Sequence, residues 1–312
     1  MPPINNNKKI VLITLGSISL LSALFIYGKQ ELTKFSLEKQ REAQKALAAP
    51  NIPIDHFSNL SLQAKAVYVY DVQTKKVLFQ KNATIPLPLA SLTKVMTAIV
   101  ASENLEKNNE ITINSKALEE EGDSGLKEGE KWNLVKLLSY MLMVSSNDGA
   151  QSVANVISSV NTQKSFVDLM NEKANQLGLL SMHFSNPTGL DNKEETIAGA
   201  SASAKDMAGL LQYAVEHHLD IFKNTSFSKK DFSSNTTLHT AKNTDIIIND
   251  IPNVLASKTG YTDLAGGNLG IIFDRGLNEP VVIVVLGSTY DSRFTDVLSL
   301  ASSTLETYNG SK

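Results

Sequence analysis

Three short groups of residues in this chain carry side chains that could together break an acyl bond. The first places Ser91 three residues before Lys94, so that on a helix the hydroxyl and the amine share one face. A serine hydroxyl is inert at neutral pH unless a base takes its proton, and a lysine can be that base when burial lowers its pKa. Alone, the pair also fits a helix N-cap serine followed by a surface lysine.

The second group is Ser145-Ser146-Asn147, which follows an apolar run and is expected where one helix ends and another begins. Its structural interpretation is an ordinary cap, with Asn147 or Asp148 bonding the first amides of the next helix. Its functional interpretation puts a second hydroxyl and an amide beside Lys94. There they could pass a proton to a leaving amine and orient the lysine.

The third group is Lys258-Thr259-Gly260, which precedes a strand predicted to begin at Asn268 and is expected near a sheet edge. Its structural interpretation is a turn with a solvated lysine. Functionally, the lysine and the hydroxyl could hold a substrate carboxylate. Gly260 would let the backbone approach closely and leave amides for an oxyanion.

The elements that must position these groups follow from periodicity. Strands are predicted at 66–70, 77–80, 268–273 and 281–286, and helices from Ser91 onward and at 134–143, 149–157, 166–177 and 204–215; a final apolar periodic segment follows at 294–308. Strands therefore flank a run of helices. This order predicts an α/β fold of the α+β type, with an antiparallel sheet built from both chain ends, flanked by helices and enclosing an inserted helical subdomain.

The conjunction of the three groups is more specific than any one of them. Ser-x-x-Lys, Ser-x-Asn and Lys-Thr-Gly occur in that order with domain-scale gaps, a set typical of class A β-lactamases and penicillin-binding proteins. The flanking residues that extend the match are Pro88-Leu89-Ala90, Met96-Thr97-Ala98, Asn186-Pro187-Thr188-Gly189-Leu190-Asp191, Ala204-Lys205-Asp206-Met207-Ala208 and Tyr261-Thr262. From about Lys65 onward the sequence resembles the D-alanyl-D-alanine carboxypeptidases, low-molecular-mass penicillin-binding proteins of the serine β-lactamase-like superfamily.

The resemblance implies a catalytic role for four residues. Ser91 would attack the carbonyl between the two terminal D-alanines of a peptidoglycan stem peptide, with Lys94 as general base. Ser145 would relay the proton to the departing D-alanine. Asn147 would hold Ser145 and Lys94 in place and contact the substrate amide.

The same resemblance implies a substrate-binding role for Lys258, Thr259, Gly260 and Tyr261. Lys258 and Thr259 would engage the terminal carboxylate, and the backbone amides of Ser91 and Tyr261 would form the oxyanion hole. β-Lactams would be covalent inhibitors, because they acylate the same serine and their leaving group stays attached.

The sequence departs from the family pattern at a few positions. Ser146 stands where relatives often have glycine, and Ala256 stands where glycine usually precedes the third motif. A small polar run at 199–203 replaces a common histidine. The chain ends shortly after Tyr308, so neither an all-β tail domain nor a C-terminal amphipathic anchor is expected.

Three alternatives share this fold. A β-lactamase would need a further carboxylate to drive water onto the acyl-enzyme, and Glu194 and Glu195 are the candidates nearby. A DD-endopeptidase that cuts peptidoglycan cross-links would use the same residues. A non-catalytic sensor of muropeptides or β-lactams would bind without turnover.

The N-terminus predicts export. Lys8 and Lys9 precede an uncharged apolar run at 10–27 whose helical length, roughly 27 Å, is close to a bilayer core. The lysines are expected to stay in the cytoplasm. A cleaved signal peptide, with Ala46-Leu47-Ala48 as a rather distant cleavage site, is the alternative and gives a secreted protein. The predicted organisation is a cytoplasmic tail at 1–9, a transmembrane anchor or signal peptide at 10–28, a spacer at 29–54 and the catalytic domain at 55–312.

Composition excludes other classes of protein. The chain has 312 residues with 29 basic and 32 acidic side chains, a balance without the electrostatic footprint of a nucleic-acid binder. It has no cysteine, which excludes disulfides and thiol catalysis. No two histidines have a helical i, i+4 metal spacing, so neither a metal nor a cofactor is expected. Glu119-Glu120-Glu121 is expected to be a solvated face or loop.

Overall fold

The computed structural model describes residues 27–31, 33–34, 36–39, 41, 55–161 and 163–309. The chain divides into two compact units, Met1–Ile54 and Asp55–Lys312. In the first unit the described residues are helical and exposed. Nearly all of the predicted anchor at 10–28 lies outside the described residues, as do the tail at 1–9 and the possible cleavage site. Within the part of the chain that is described, no helix is long and apolar enough to cross a membrane.

The second unit contains the elements that position the three groups of residues. The strands are β1 (Ala66–Asp71), β2 (Lys76–Lys81), β3 (Leu87–Pro88), β4 (Glu110–Thr112), β5 (Lys131–Asn133), β6 (His183–Phe184), β7 (Ala200–Ala202), β8 (Lys229–Ser233), β9 (Leu238–Lys242), β10 (Val254–Thr262), β11 (Gly266–Asp274) and β12 (Pro280–Ser288). The α-helices are α1 (Thr93–Asn104), α2 (Leu134–Val144), α3 (Asn147–Val160), α4 (Phe166–Gln176), α5 (Ala204–Phe222) and α6 (Ser292–Asn309).

The main sheet is built from both ends of this unit, as predicted. Its five strands run in the order β10-β11-β12-β1-β2, and each neighbouring pair is antiparallel. The register joins Ala66 to Leu286 and Asp71 to Val281. The first strand is thereby inserted beside the last one.

Two apolar cores cover the two faces of this sheet. Side chains alternate across a strand, and in β12 Val284 belongs to one core with α5, while Ile283 and Val285 belong to the other with α6. In the α6 core, Phe294 and Val297 are buried against the sheet. This explains why β12 is apolar at nearly every position, since both of its faces are covered.

The helices between β2 and β8 form the predicted inserted subdomain. Its central helix is α1, in which every residue from Thr93 to Ala101 is buried. Helices α2, α3, α4 and α5 pack around it through apolar side chains. A helix without a solvated face is typical of the centre of a helical core.

Two features differ from the sequence-based expectation. The helix predicted from Ser91 begins at Thr93, after a 3-10 turn at Ala90–Leu92. The third motif lies within a nine-residue strand, β10, at the edge of the sheet, and is not the turn of the structural interpretation. Polar and apolar side chains do not alternate regularly along β10, because both faces of this strand pack against other elements.

Candidate active site

The backbone around Ser91 is held in an unusual conformation. Ala90 has a φ of 48°, in the left-handed region that costs non-glycine residues energy. The amide of Leu89 donates to Ala200 O at 2.9 Å, and a β-carbon on Gly189 would lie 2.0 Å from Ala90 O. The turn is thus clamped between β7 and the loop at 186–192. It places the half-buried Ser91 at the start of the central helix.

Lys94 is completely buried beneath Ser91. Its Nζ lies 2.9 Å from Ser91 Oγ, 2.6 Å from Asn147 Oδ1 and 2.8 Å from Thr188 O. Burial lowers the pKa of Lys94 from 10.5 to about 7, while the negative charges of Glu120 and Asp148 oppose this shift. A large fraction of Lys94 is therefore uncharged near neutral pH.

The three partners of Lys94 match an uncharged amine. Asn147 Oδ1 and Thr188 O can only accept hydrogen bonds, so they take the two protons of a neutral –NH₂ group. The lone pair then faces Ser91 Oγ, whose own proton can be donated to it. The contacts thus orient the base toward the hydroxyl that it would deprotonate.

The second motif lies in the tight connection between α2 and α3. Ser145 adopts the left-handed conformation with φ 62° and ψ 38°, directly after α2. Ser146 is the N-cap of α3, because its side chain accepts from Gly149 N at 2.8 Å. The prediction that Asn147 or Asp148 would be the cap was wrong. Asn147 is left to orient Lys94, and its Nδ2 donates to Glu121 O at 2.6 Å.

The third motif brings a second buried lysine to the same place. Lys258 Nζ donates to Ser145 Oγ at 2.9 Å and to Thr259 O at 2.8 Å. Burial lowers the pKa of Lys258 well below its ordinary value, and the charges of Lys94 and Arg293 lower it further. The alternative of a turn with a solvated lysine is therefore wrong. The site holds two buried lysines, of which Lys258 contacts Ser145 and Lys94 contacts Asn147.

Gly260 allows β10 to pass directly beside the nucleophile turn. A β-carbon at this position would lie 2.8 Å from Leu89 O and 3.2 Å from Ser91 N. The backbone amides of Ser91 and Tyr261 thus belong to two segments in close contact, as an oxyanion hole would require. The Tyr261 side chain is exposed and makes an edge contact with Tyr290, with ring centroids 5.1 Å apart.

A cavity of about 650 Å³ opens beside these groups. Thr188 and Tyr261 line it, together with Glu120 and Glu195. Within Glu119-Glu120-Glu121, the prediction of a solvated face or loop holds for Glu119 and Glu121 only. Glu120 is half-buried, and burial raises the pKa of its carboxyl group. Of the two carboxylates considered for a β-lactamase, Glu195 lines the cavity, whereas the Glu194 carboxylate accepts from the Asn192 side chain.

Several residues at the site escaped the sequence analysis. The carbonyl of Thr188 accepts from Lys94, whereas the sequence shows Thr188 only as part of the motif block at 186–191. Arg293, at the start of α6, donates to Gly260 O at 2.9 Å and is buried. Thr244 bonds Thr259 from the loop after β9. These positions carry no local signal, because their importance comes only from distant segments meeting in the fold.

The described geometry agrees with one known family of proteins. A family model described as D-alanyl-D-alanine carboxypeptidase matches residues 54–289 of the chain. The chain belongs to that family. The three motifs, the Ser91 turn and the loop at 186–192 all lie inside the region matched to the D-alanyl-D-alanine carboxypeptidase family.

Curated relatives within the D-alanyl-D-alanine carboxypeptidase family carry two kinds of name. The D-alanyl-D-alanine carboxypeptidase DacF of Bacillus subtilis is 32% identical over 262 residues, covering 80% of this chain and 65% of the relative. A D-alanyl-D-alanine endopeptidase of Haemophilus influenzae is 29% identical over 240 residues, covering 74% of this chain and 79% of the relative. The chain thus spans about two thirds of the length of DacF.

Solved structures agree with the D-alanyl-D-alanine carboxypeptidase assignment. Penicillin-Binding Protein D2 from Listeria monocytogenes, solved in an ampicillin-bound form, is 26% identical with a TM-score of 0.66. The match covers 78% of this chain and 98% of that one. The mixed α/β fold with its antiparallel sheet is therefore that of a penicillin-binding protein.

Proposed function

We propose that this protein is a serine-type D-Ala-D-Ala carboxypeptidase that acts on peptidoglycan stem peptides. The observation that carries the proposal is the 2.9 Å contact between Ser91 Oγ and the buried Lys94 Nζ, whose pKa is lowered to about 7. A serine beside an uncharged amine is an activated nucleophile. The family named above supplies the substrate class.

In the acylation step, Lys94 takes the Ser91 proton as Oγ bonds to the carbonyl carbon between the two terminal D-alanines. The resulting oxyanion accepts hydrogen bonds from the backbone amides of Ser91 and Tyr261. Gly260 supports this step, because it lets the two amide-bearing segments approach each other. Asn147 and Thr188 O keep the base in place by accepting its protons.

The leaving group needs a proton when the C–N bond breaks. Ser145, whose Oγ contacts Lys258 Nζ at 2.9 Å, is proposed to relay to the leaving nitrogen the proton that Lys94 took from Ser91, which leaves Lys94 uncharged again. The proton reaches the nitrogen of D-alanine, which departs as the free amino acid. Water then attacks the ester on Ser91, with Lys94 again as base, and restores the serine.

The carboxylate of the terminal D-alanine is proposed to bind at Lys258 and Thr259. Lys258 and Arg293 make this part of the site electropositive, and both are buried. A carboxylate bound here is attracted by the charge of Arg293 and favours the charged form of Lys258. A β-lactam also carries a carboxylate and would be held in the same way while it acylates Ser91. The ampicillin-bound Listeria relative supports this view.

A DD-endopeptidase is the second candidate, supported by the Haemophilus influenzae relative with that name. It would cut cross-links with the same Ser91 and Lys94. The difference lies in whether the residue after the cut bond must end in a free carboxylate. Purified cross-linked muropeptides offered beside uncross-linked ones would separate the two activities.

We further propose that the catalytic domain, 55–312, lies outside the cytoplasm and is attached to the cell membrane through residues 10–28. The support is the pattern of Lys8 and Lys9 before an apolar run, together with a substrate class that is external to the membrane. Membrane fractionation tests this. An N-terminal sequence that begins after residue 28, in the soluble fraction, would show signal-peptide cleavage and a secreted protein.

The decisive experiment is the intact mass of the full chain after exposure to benzylpenicillin, with Ser91→Ala alongside. A stable one-ligand adduct on the wild type alone is expected. Released D-alanine from a peptide ending in D-Ala-D-Ala is then measured by chromatography. Hydrolysed penicillin without an adduct would indicate a β-lactamase, and neither adduct nor hydrolysis would indicate a non-catalytic sensor.

A further inference from the structure

Thr244 belongs to none of the three motifs, but its side chain contacts the third one, Lys258-Thr259-Gly260. Its Oγ1 lies 2.6 Å from Thr259 Oγ1, and Thr259 is only 4% exposed. Thr244 itself is half-buried and follows β9 in the chain. Among the hydrogen bonds of the described residues, the Thr244 hydroxyl has no partner other than Thr259.

The segment that carries Thr244 is fixed on both sides. Its own amide donates to Met143 O at 3.1 Å, two residues before Ser145. The Asn243 side chain donates to Thr225 O at 2.7 Å, and the buried Asp245 carboxylate accepts from the Ser257 hydroxyl. Thr244 therefore bridges the end of α2 and strand β10, with little freedom to move.

A hydroxyl group has one proton, and this limits the hydrogen bonds that the Thr244 and Thr259 hydroxyls can donate. If Thr259 donates to Thr244, it has no proton left for a ligand. If Thr244 donates to Thr259, the Thr259 proton is free to point toward an anion, and the accepted bond strengthens it as a donor. Because the Thr244 proton has no competing acceptor among the described contacts, the second arrangement is available whenever an anion binds.

We propose that Thr244 is a positioning residue that sets the preference for substrates with a free terminal carboxylate, by donating to Thr259 and so directing the Thr259 proton at that carboxylate. The proposal rests on the proposed function, in which Thr259 binds the carboxylate. Thr244 touches no substrate atom. It acts through Thr259 alone, and its hydroxyl favours carboxypeptidase substrates over those whose carboxylate is masked.

A merely structural role for the hydroxyl predicts a different outcome. Strand β10 is held independently by its ladder with β11, in which Thr259 pairs with Leu269 and Lys258 with Gly270. Loss of the Thr244 hydroxyl should therefore leave the strand in place. A structural defect would weaken binding of every ligand alike, whereas loss of proton direction affects only ligands with a carboxylate.

The test uses the full chain and three variants. Thr244→Val removes the hydroxyl at nearly constant shape, Thr244→Ser keeps it, and Thr304→Val removes a buried hydroxyl that bonds Leu300 O in α6. One acyl-D-Ala-D-Ala peptide is the substrate, and its C-terminal amide serves as a competitive inhibitor. Thr244→Ala replaces Thr244→Val if the valine variant does not fold.

We expect Thr244→Val to lower kcat/KM for the acid roughly tenfold, as expected for a weakened bond to a charged group, with the Ki of the amide unchanged. Thr244→Ser and Thr304→Val should behave like wild type. An unchanged kcat/KM, or a parallel loss of amide binding, overturns the inference. If the wild type itself releases no D-alanine, that result contradicts the proposed function, whereas the inference about Thr244 is contradicted only by the outcomes named above.

Discussion

Gly260 and Ser91 belong to segments that touch so closely that a β-carbon on the glycine would lie 3.2 Å from the serine nitrogen. Any side chain here must push β10 away from the nucleophile turn, since the other close atom is the backbone oxygen of Leu89 at 2.8 Å. The separation between the two proposed oxyanion donors is therefore set by the absence of a side chain at position 260.

We accordingly expect Gly260→Ala to slow acylation by benzylpenicillin by roughly 100-fold, because loss of one oxyanion donor costs about that much. Thermal unfolding should show a fold that is retained. Gly209→Ala in α5 is the control, since its β-carbon would meet only the flexible end of Leu179. Acylation of Gly260→Ala at the wild-type rate would argue against an oxyanion hole at this place.

The lowered pKa of Lys94, about 7, predicts the pH dependence of acylation. The base must be uncharged, so below pH 7 the second-order rate constant for benzylpenicillin should rise about tenfold per pH unit and then level off above the pKa. Stopped-flow acylation between pH 5 and 9 measures this. A plateau reached only near the ordinary lysine value would contradict Lys94 as general base.

Binding of an anionic substrate should take up protons. Burial and the charge of Lys94 lower the pKa of Lys258, and a carboxylate placed against Lys258 must raise it again. Calorimetry of an acyl-D-Ala-D-Ala peptide binding to Ser91→Ala, in two buffers of different ionisation enthalpy and at a series of pH values, should therefore reveal net proton uptake. The peptide amide is the control. Equal uptake with the amide would remove Lys258 from the carboxylate site.

The Ser146 hydroxyl links two segments. It accepts from Gly149 N and lies 2.8 Å from Ser124 Oγ, whose proton has a further acceptor in Asp148. Ser146→Gly should cost about 1 kcal/mol of unfolding free energy in urea, because a cap and a buried contact are lost together. Ser165→Gly, an exposed cap of α4, should cost only a few tenths. Equal losses would show that the Ser124 contact contributes nothing.

The sequence could predict that the motif residues lie together, but not their environment. Motif spacing placed Ser91 and Lys94 together, and the structure brings Ser145, Asn147 and Lys258 to the same point. The local sequence could not predict that Lys94 is fully buried, because the residues around its amine include Thr188, ninety-four residues further along the chain. The sheet was predictable because β1 and β12 are apolar and β-branched.

Unlike β1 and β12, strand β10 could not be predicted from its local sequence. Its sequence contains Lys258 and Gly260, and lysine and glycine are both depleted in strands. It becomes a strand because β11 supplies a full antiparallel ladder and because Arg293 and the Thr244 segment hold it from the other side. Tertiary contacts here override local propensity.

The pairing of Ala66 with Leu286 has a consequence for how the protein is made. Closing a loop of that length is entropically expensive, and topologies dominated by such distant pairings fold slowly. During synthesis, β1 and β2 emerge long before β12 exists, so their unpaired edge is exposed to other chains for all of that time. A chain that stops before Pro280 can never complete the sheet, and we expect it to require a holding chaperone or to aggregate.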